Sequence, residues 1–206
     1  MQTIDRISKF QSDVPANFFG GRVKELAWDI ETSGLDWKSD RIASCQLSTS
    51  NGEVAVVRID PNKRPSTLCS LLRNVAVRKI FHHAPFDLRF MSAAWSVEAQ
   101  NIVCTKVASK ILVPEEKDHS LKALLHRHLG ITLDKSLQTS NWFAESWSEE
   151  QVLYAARDVL HLHSLFTTLE TELMACDRLG LAQKCFDHLP TRVRLELGGY
   201  GDVFAH

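Results

Sequence analysis

Asp29 and Glu31 stand two residues apart in Leu26-Ala27-Trp28-Asp29-Ile30-Glu31, a segment that reads as a β-strand, so alternation sends both carboxylates to one face. Burying acids unpaired costs several kcal/mol per ion, so such a pair means either a cation between them or exposure at a strand end. Asp87, in His82-His83-Ala84-Pro85-Phe86-Asp87, falls just inside a helix that follows a short strand. It either complements the helix dipole or joins the first pair. Tyr154 and Asp158 are four residues apart on one helix and face the same way, toward solvent or toward the other acids. Brought together, these three sites would offer hard oxygen ligands suited to Mg²⁺ or Mn²⁺.

The elements that must position these residues follow from pattern. Val23 to Ile30 reads as a strand ended by Thr32-Ser33-Gly34, and Arg41 to Thr49 and Glu53 to Ile59 as two more, with Asn51-Gly52 as a hairpin turn between them. Three antiparallel strands are therefore expected first. A helix starts at Pro65-Ser66 and runs through Leu68, Leu71, Leu72 and Val75; a short strand covers Lys79 to His82; a helix spans Phe86 to Ser96; Asn101 to Cys104 forms a last strand. Helices follow at Thr105 to Val113 and Ser120 to Leu129, with Gly130 as a stop. Ser148 and Gln151 have capping-box spacing before a helix that continues toward Gly180. The expected fold class is α/β: three antiparallel strands, then alternating helix and strand, in a mixed sheet covered by helices. No repeat or linker divides the 206 residues, so one domain is expected, with its core over about 23–180 and a tail over 190–206.

Composition narrows the setting. The chain is 44% hydrophobic and 24% charged, as in ordinary globular proteins, and has no run of the roughly 18 apolar residues that a membrane span needs. Residues Met1 to Phe19 interleave Asp5, Arg6, Lys9 and Asp13 with apolar positions, unlike a signal peptide, so a cytoplasmic location is expected. Five scattered cysteines, none in a C-x-x-C pair, disfavour a disulfide framework and a structural zinc site. With 24 basic and 25 acidic residues, no long polyanion track is announced, although a local basic rim remains compatible. His126 and His128, like His161 and His163, are two apart on helices, so their side chains diverge and packing roles are favoured over metal sites.

Asp29-Ile30-Glu31, His82 to Asp87 and Tyr154 to Asp158 together resemble the three exonuclease motifs of the DEDDy 3'-5' exonucleases. The stretch Leu133-Asp134-Lys135-Ser136, Ser140-Asn141-Trp142, Glu150-Gln151 and Tyr154 to Val159 is similar specifically to ribonuclease D. The resemblance implies a ribonuclease H-like fold, two divalent cations (Mg²⁺ or Mn²⁺) held by Asp29, Glu31, Asp87 and Asp158, and Tyr154 as the residue that orients the attacking water. Two such ions can activate water and stabilise a leaving 3' oxygen. It further implies that Leu35 wedges against the terminal base, a core leucine being the other reading, and that the Thr32 backbone meets the terminal nucleotide. His83 stands where relatives often carry asparagine and would touch the sugar-phosphate. Asn141 replaces an aspartate and Glu145-Ser146-Trp147 an Arg-Pro-Leu, so the substrate-side lip departs from ribonuclease D. Trp142 and Trp147 suit either base stacking or burial, and Trp142 is taken as a substrate contact.

Only about forty residues follow Asp158's helix onset, too few for the extra helical domains of ribonuclease D, and the Gly-Tyr-Gly-Asp-Val-Phe ending resembles the nanoRNase C group. The expected activity is a 3'-5' exoribonuclease that degrades short RNA oligonucleotides, down to dinucleotides, to 5'-nucleoside monophosphates. Trimming of structured RNA, a DNA exonuclease activity and a non-catalytic nucleic-acid-binding module are the rivals; the complete acid and tyrosine set argues against the last. By the same resemblance the protein is expected to be a homo-oligomer, with a ring as one form. Its tail, rich in Leu195, Leu197, Tyr200, Val203 and Phe204, would dock on a neighbouring subunit and place Arg192 or Arg194 near a substrate phosphate.

Overall fold

The hairpin at Asn51-Gly52 organises the sheet. Gly52 takes φ +85, a left-handed value that costs glycine little, and the turn closes with Thr49 N–H donating to Glu53 O at 3.0 Å. It joins β3 (Ile42–Ser48) to β4 (Val54–Arg58), and β3 pairs on its other edge with antiparallel β2 (Glu25–Thr32). Parallel β5 (Arg78–Phe81) and β6 (Ile102–Cys104) extend the sheet beyond β2. Every residue of β3 is buried, so helices cover both faces of the sheet there. The computed structural model describes residues 6–20, 23–133 and 140–205. Asp134, Lys135 and Ser136 of the ribonuclease D-like stretch, Asp5 and His206 lie outside them.

A strand absent from the sequence expectation, β1 (Ile7–Gln11), adds parallel to β4 and makes the order β1-β4-β3-β2-β5-β6. Its Ile-Ser-Lys-Phe-Gln composition is only half-apolar because it forms an edge, with Lys9 and Gln11 exposed. Helices α1 (Ser66–Arg73), α2 (Ala84–Trp95), α3 (Thr105–Leu112) and α4 (Leu121–Leu129) follow the expected pattern, and Gly130 ends α4 at φ +66.

The expected run from Ser148 toward Gly180 is broken. Helix α5 (Glu149–Leu160) stops at His161, and α6 (Leu162–Ala175) begins beyond it. The buried Ser48 hydroxyl donates to the Val159 carbonyl at 2.9 Å, and the His161 N–H also turns to that carbonyl. The Val159 carbonyl at the break thus takes bonds from outside the regular helical ladder. Helix α5 packs across β2, β3 and β4, and α6 against β5 and β2. Residues 192–197, read as part of a docking tail, are instead the last turns of α7 (Leu179–Leu197), which lies on α2 and α3 and buries Phe186, Leu189 and Val193 in the common core. Helical spacing was masked there by Pro190 and by alternating charge. Only the residues beyond Gly198 extend from the helix.

Candidate active site

Strand β2 presents Asp29 and Glu31 on one side, half-buried, while Ile30 between them turns into the core at 4% exposure. The register with β3 shifts between Glu31 and Thr32, so the acids sit where the ladder ends. On α5 the capping box forms as expected, Ser148 Oγ accepting from Gln151 N–H at 3.1 Å and Gln151 Oε1 from Ser148 N–H at 3.0 Å. That anchored first turn sets the rotation of α5 and points Tyr154 and Asp158, both buried, back toward β2. One carboxylate oxygen each from Asp29, Glu31 and Asp158 lies within 4.8 Å of the other two.

Asp87 comes from the first turn of α2, where Pro85 needs no N–H partner, and is 3% exposed on the wall of the same cleft. Burial, and then the charge of Asp29, push its carboxyl well above the usual range, against the pull of its own N–H and that of Ile30. The Tyr154 phenol is likewise held far above its ordinary value, by burial first and then by Asp158, Glu31 and Asp29, with Asp158 accepting its hydrogen bond. With no cation bound, the phenol therefore stays protonated. Carboxylates crowded into so dry a wall repel one another, and a hard divalent cation is the counter-charge that an all-oxygen donor set fits.

All nine residues singled out from sequence line one cleft of about 660 Å³: Asp29, Glu31, Thr32, Leu35, His83, Asp87, Trp142, Tyr154 and Asp158. Leu35 is 82% exposed at its rim, which excludes the core reading. Its loop is cinched around the Asp40 carboxylate, which accepts from Ser33 Oγ and Asp36 N–H, both at 2.9 Å. A Cβ on Gly34 would fall 2.5 Å from Asp40 Oδ2, so the Asp40 side chain would have to shift. Thr32 Oγ1 donates to Gly34 O at 2.6 Å and completes the turn. His83 is exposed with its ring stacked on Phe86. Protein crowding around the ring, followed by Lys106, Arg89, Lys110 and Arg192, lowers its pKa to about 4 and keeps it neutral.

Trp142 is buried rather than free to stack on a base, its ring 6.0 Å from that of Tyr154. Its Nε1–H has no acceptor among the described residues. Residues not singled out also line the cleft, among them His82, Phe86, Leu121 and Ser140. His82 Nδ1 lies 2.9 Å from Thr105 Oγ1, and its place at the start of the His82-to-Asp87 motif was the available signal. Leu121 had none, because only the tertiary fold brings α4 to the cleft.

A family model described as 3'-5' exonuclease matches residues 15–174. Among known proteins, the chain is 28% identical over 160 residues to ribonuclease D of Desulfotalea psychrophila, covering 74% of this chain and 42% of that protein. It is 35% identical over 96 residues to DNA polymerase I of Aquifex aeolicus, covering 47% of this chain and 16% of the other. The chain thus spans less than half the length of these relatives. Brucella melitensis NrnC, by contrast, superposes with TM-score 0.92 at 36% identity over 97% of this chain and 98% of its own. That protein has also been solved with bound Mg²⁺ and bound to pGG. The chain belongs to the 3'-5' exonuclease family and is an exonuclease of the ribonuclease D and NrnC type.

Proposed function

We propose that this exonuclease acts on RNA oligonucleotides of a few residues, down to dinucleotides, and releases nucleoside 5'-monophosphates with the aid of two divalent cations, Mg²⁺ or Mn²⁺. The observation that carries the reading is that Leu35, fully presented at the rim, shares one cleft with the Asp29, Glu31 and Asp158 cluster and Tyr154. An apolar wedge beside a hard-ligand site suits holding one terminal base while its phosphodiester is hydrolysed. The similarity to NrnC along nearly the whole chain, and the pGG and Mg²⁺ forms of that protein, support the short substrate and the cation.

Asp29, Glu31, Asp87 and Asp158 would hold the ions, which supply positive charge for activating water and for stabilising the leaving 3' oxygen. Tyr154, whose phenol is ordinarily a weak acid, orients the attacking water through its hydroxyl rather than removing a proton. Leu35 packs against the terminal base, Thr32 meets the terminal nucleotide through its backbone, and neutral His83 offers a ring N–H to the sugar-phosphate. Trp142 forms the wall behind Tyr154. A closed homo-oligomer belongs to the same proposal: Tyr200 and Phe204, 71% and 81% exposed, supply apolar surface for a neighbouring subunit.

Single-turnover hydrolysis of labelled RNAs from dinucleotides to about twenty nucleotides tests the reading, with a matched DNA series alongside. The expected rate is highest for the shortest RNAs and weakly dependent on salt. A rate that climbs steadily with length would favour trimming of longer RNA, and faster cleavage of the DNA series would move the substrate to DNA.

A further inference from the structure

The lip from Ser140 to Trp147 is fastened from two sides. On the α5 side, Gln151 Nε2 donates to Ser140 Oγ at 3.2 Å and to Asn141 O at 3.3 Å. On the sheet side, Arg58 at the end of β4 sets its guanidinium 4.1 Å from the centroid of the Trp147 ring and donates from Nη1 to Ala144 O at 2.7 Å. Trp147 Nε1–H donates to the Trp142 carbonyl at 2.9 Å, and the two indoles meet edge to face at 6.1 Å. Trp142 then lies against Tyr154, the rings 6.0 Å apart.

The buried N–H of Trp142 lacks an acceptor among the described residues, and the indole is held by its ring contacts with Trp147 and Tyr154. We propose that Arg58 is a positioning residue for hydrolysis: by clamping Trp147 and the Ala144 carbonyl, it holds Trp142 as the wall that aims the Tyr154 hydroxyl. The inference rests on the reading of Tyr154 as the group that orients water. Arginine suits the task because a planar guanidinium can stack on an indole face while donating a hydrogen bond in its own plane, whereas a lysine ammonium cannot match both.

The test measures kcat and KM on a short labelled RNA for Arg58→Met, Arg58→Lys and Trp147→Phe, alone and combined with Tyr154→Phe. Arg58→Met is expected to lower kcat about tenfold while KM and the Mg²⁺ concentration for half-maximal rate stay within about twofold, with Arg58→Lys intermediate. In the Tyr154→Phe background, Arg58→Met should cause no further loss, because the hydroxyl it positions is gone. Unchanged kcat in folded Arg58→Met, a change in KM alone, or losses that multiply in the double variant would overturn the proposal. Should Arg58→Met fail to fold, Trp147→Phe, which keeps a ring under the guanidinium and deletes only the N–H link to Trp142, must show the same fall in kcat and the same non-additivity; if it does not, the proposal fails. An inactive wild-type protein would instead overturn the exonuclease reading beneath it.

Discussion

Asp158 illustrates how much depends on charge at a fixed shape. Asp158→Asn keeps the side-chain volume on the buried face of α5 but removes one of three clustered carboxylates. Turnover is expected to fall at least about 100-fold, while thermal melting in metal-free buffer holds or rises slightly because repulsion within the cluster is relieved. Undiminished hydrolysis by folded protein at saturating Mg²⁺ would show that Asp158 is no ligand. Lys79 makes a separate case far from the chemistry. It is fully buried, its ammonium donates to the carbonyls of Asn74 and Val77 at 2.8 Å each, and burial lowers its pKa from 10.5 to about 8. Below pH 8 both folded and unfolded chains carry the proton, and the full cost of burying the charge is present. Between pH 8 and 10.5 the unfolded chain binds the extra proton, so stability from this group rises with pH. A neutral amine still has two N–H groups for the two carbonyls. Denaturant titrations of wild type and Lys79→Met from pH 7 to 10 should therefore diverge, the wild type gaining relative to the variant; parallel curves would refute the assignment.

At the scale of elements, the N-terminus of α5 joins stability to chemistry. Its capping box fixes the first turn, and the Gln151 of that box also holds the lip through Ser140 and Asn141. Ser148→Ala removes the acceptor for Gln151 N–H and is expected to cost about 1 kcal/mol of unfolding free energy. Because the helix end beside Tyr154 loosens as well, kcat should fall several-fold more than in a solvent-face control such as Glu149→Gln. Equal activity in the two variants would mean that the cap serves stability alone. At the break by His161, the Ser48 hydroxyl reaches the Val159 carbonyl from a strand 111 residues earlier, so the boundary coincides with a long-range contact.

At the scale of the molecule, the residues beyond α7 bear on the proposed assembly. Tyr200, Val203 and Phe204 are exposed by 71%, 51% and 81%, more apolar surface than a solvated terminus usually carries. In a closed assembly they would pack on a neighbour and narrow the approach to each cleft, selecting short substrates by exclusion. Light scattering of the full chain and of a chain ending at Leu197 should give a defined oligomer and a smaller species, respectively. The shortened form should also lose part of its preference for the shortest RNA. A monomeric full chain, or identical masses for the two, would refute this role for the tail.

Much of the site was legible in the sequence because its logic is local. Strand alternation places Asp29 with Glu31, helical spacing places Tyr154 with Asp158, Ser148 and Gln151 announce their box, and Asn51-Gly52 announces its turn. Each needs only neighbours within a few residues, and the order of the acids carried the family resemblance. Tertiary contacts decided the rest. Edge strand β1 is defined by its pairing with β4, α5 and α6 separate where the Ser48 hydroxyl meets Val159, and α7 is helical across Pro190 with Phe186, Leu189 and Val193 in the core. Whether Leu35 would be core or rim, and whether Trp142 would be free or walled in, was equally beyond local pattern. Exposure is a property of what the rest of the chain places around a side chain: the Asp40-bound loop lifts Leu35 into solvent, and Trp147, backed by Arg58 from the far end of β4, closes over Trp142.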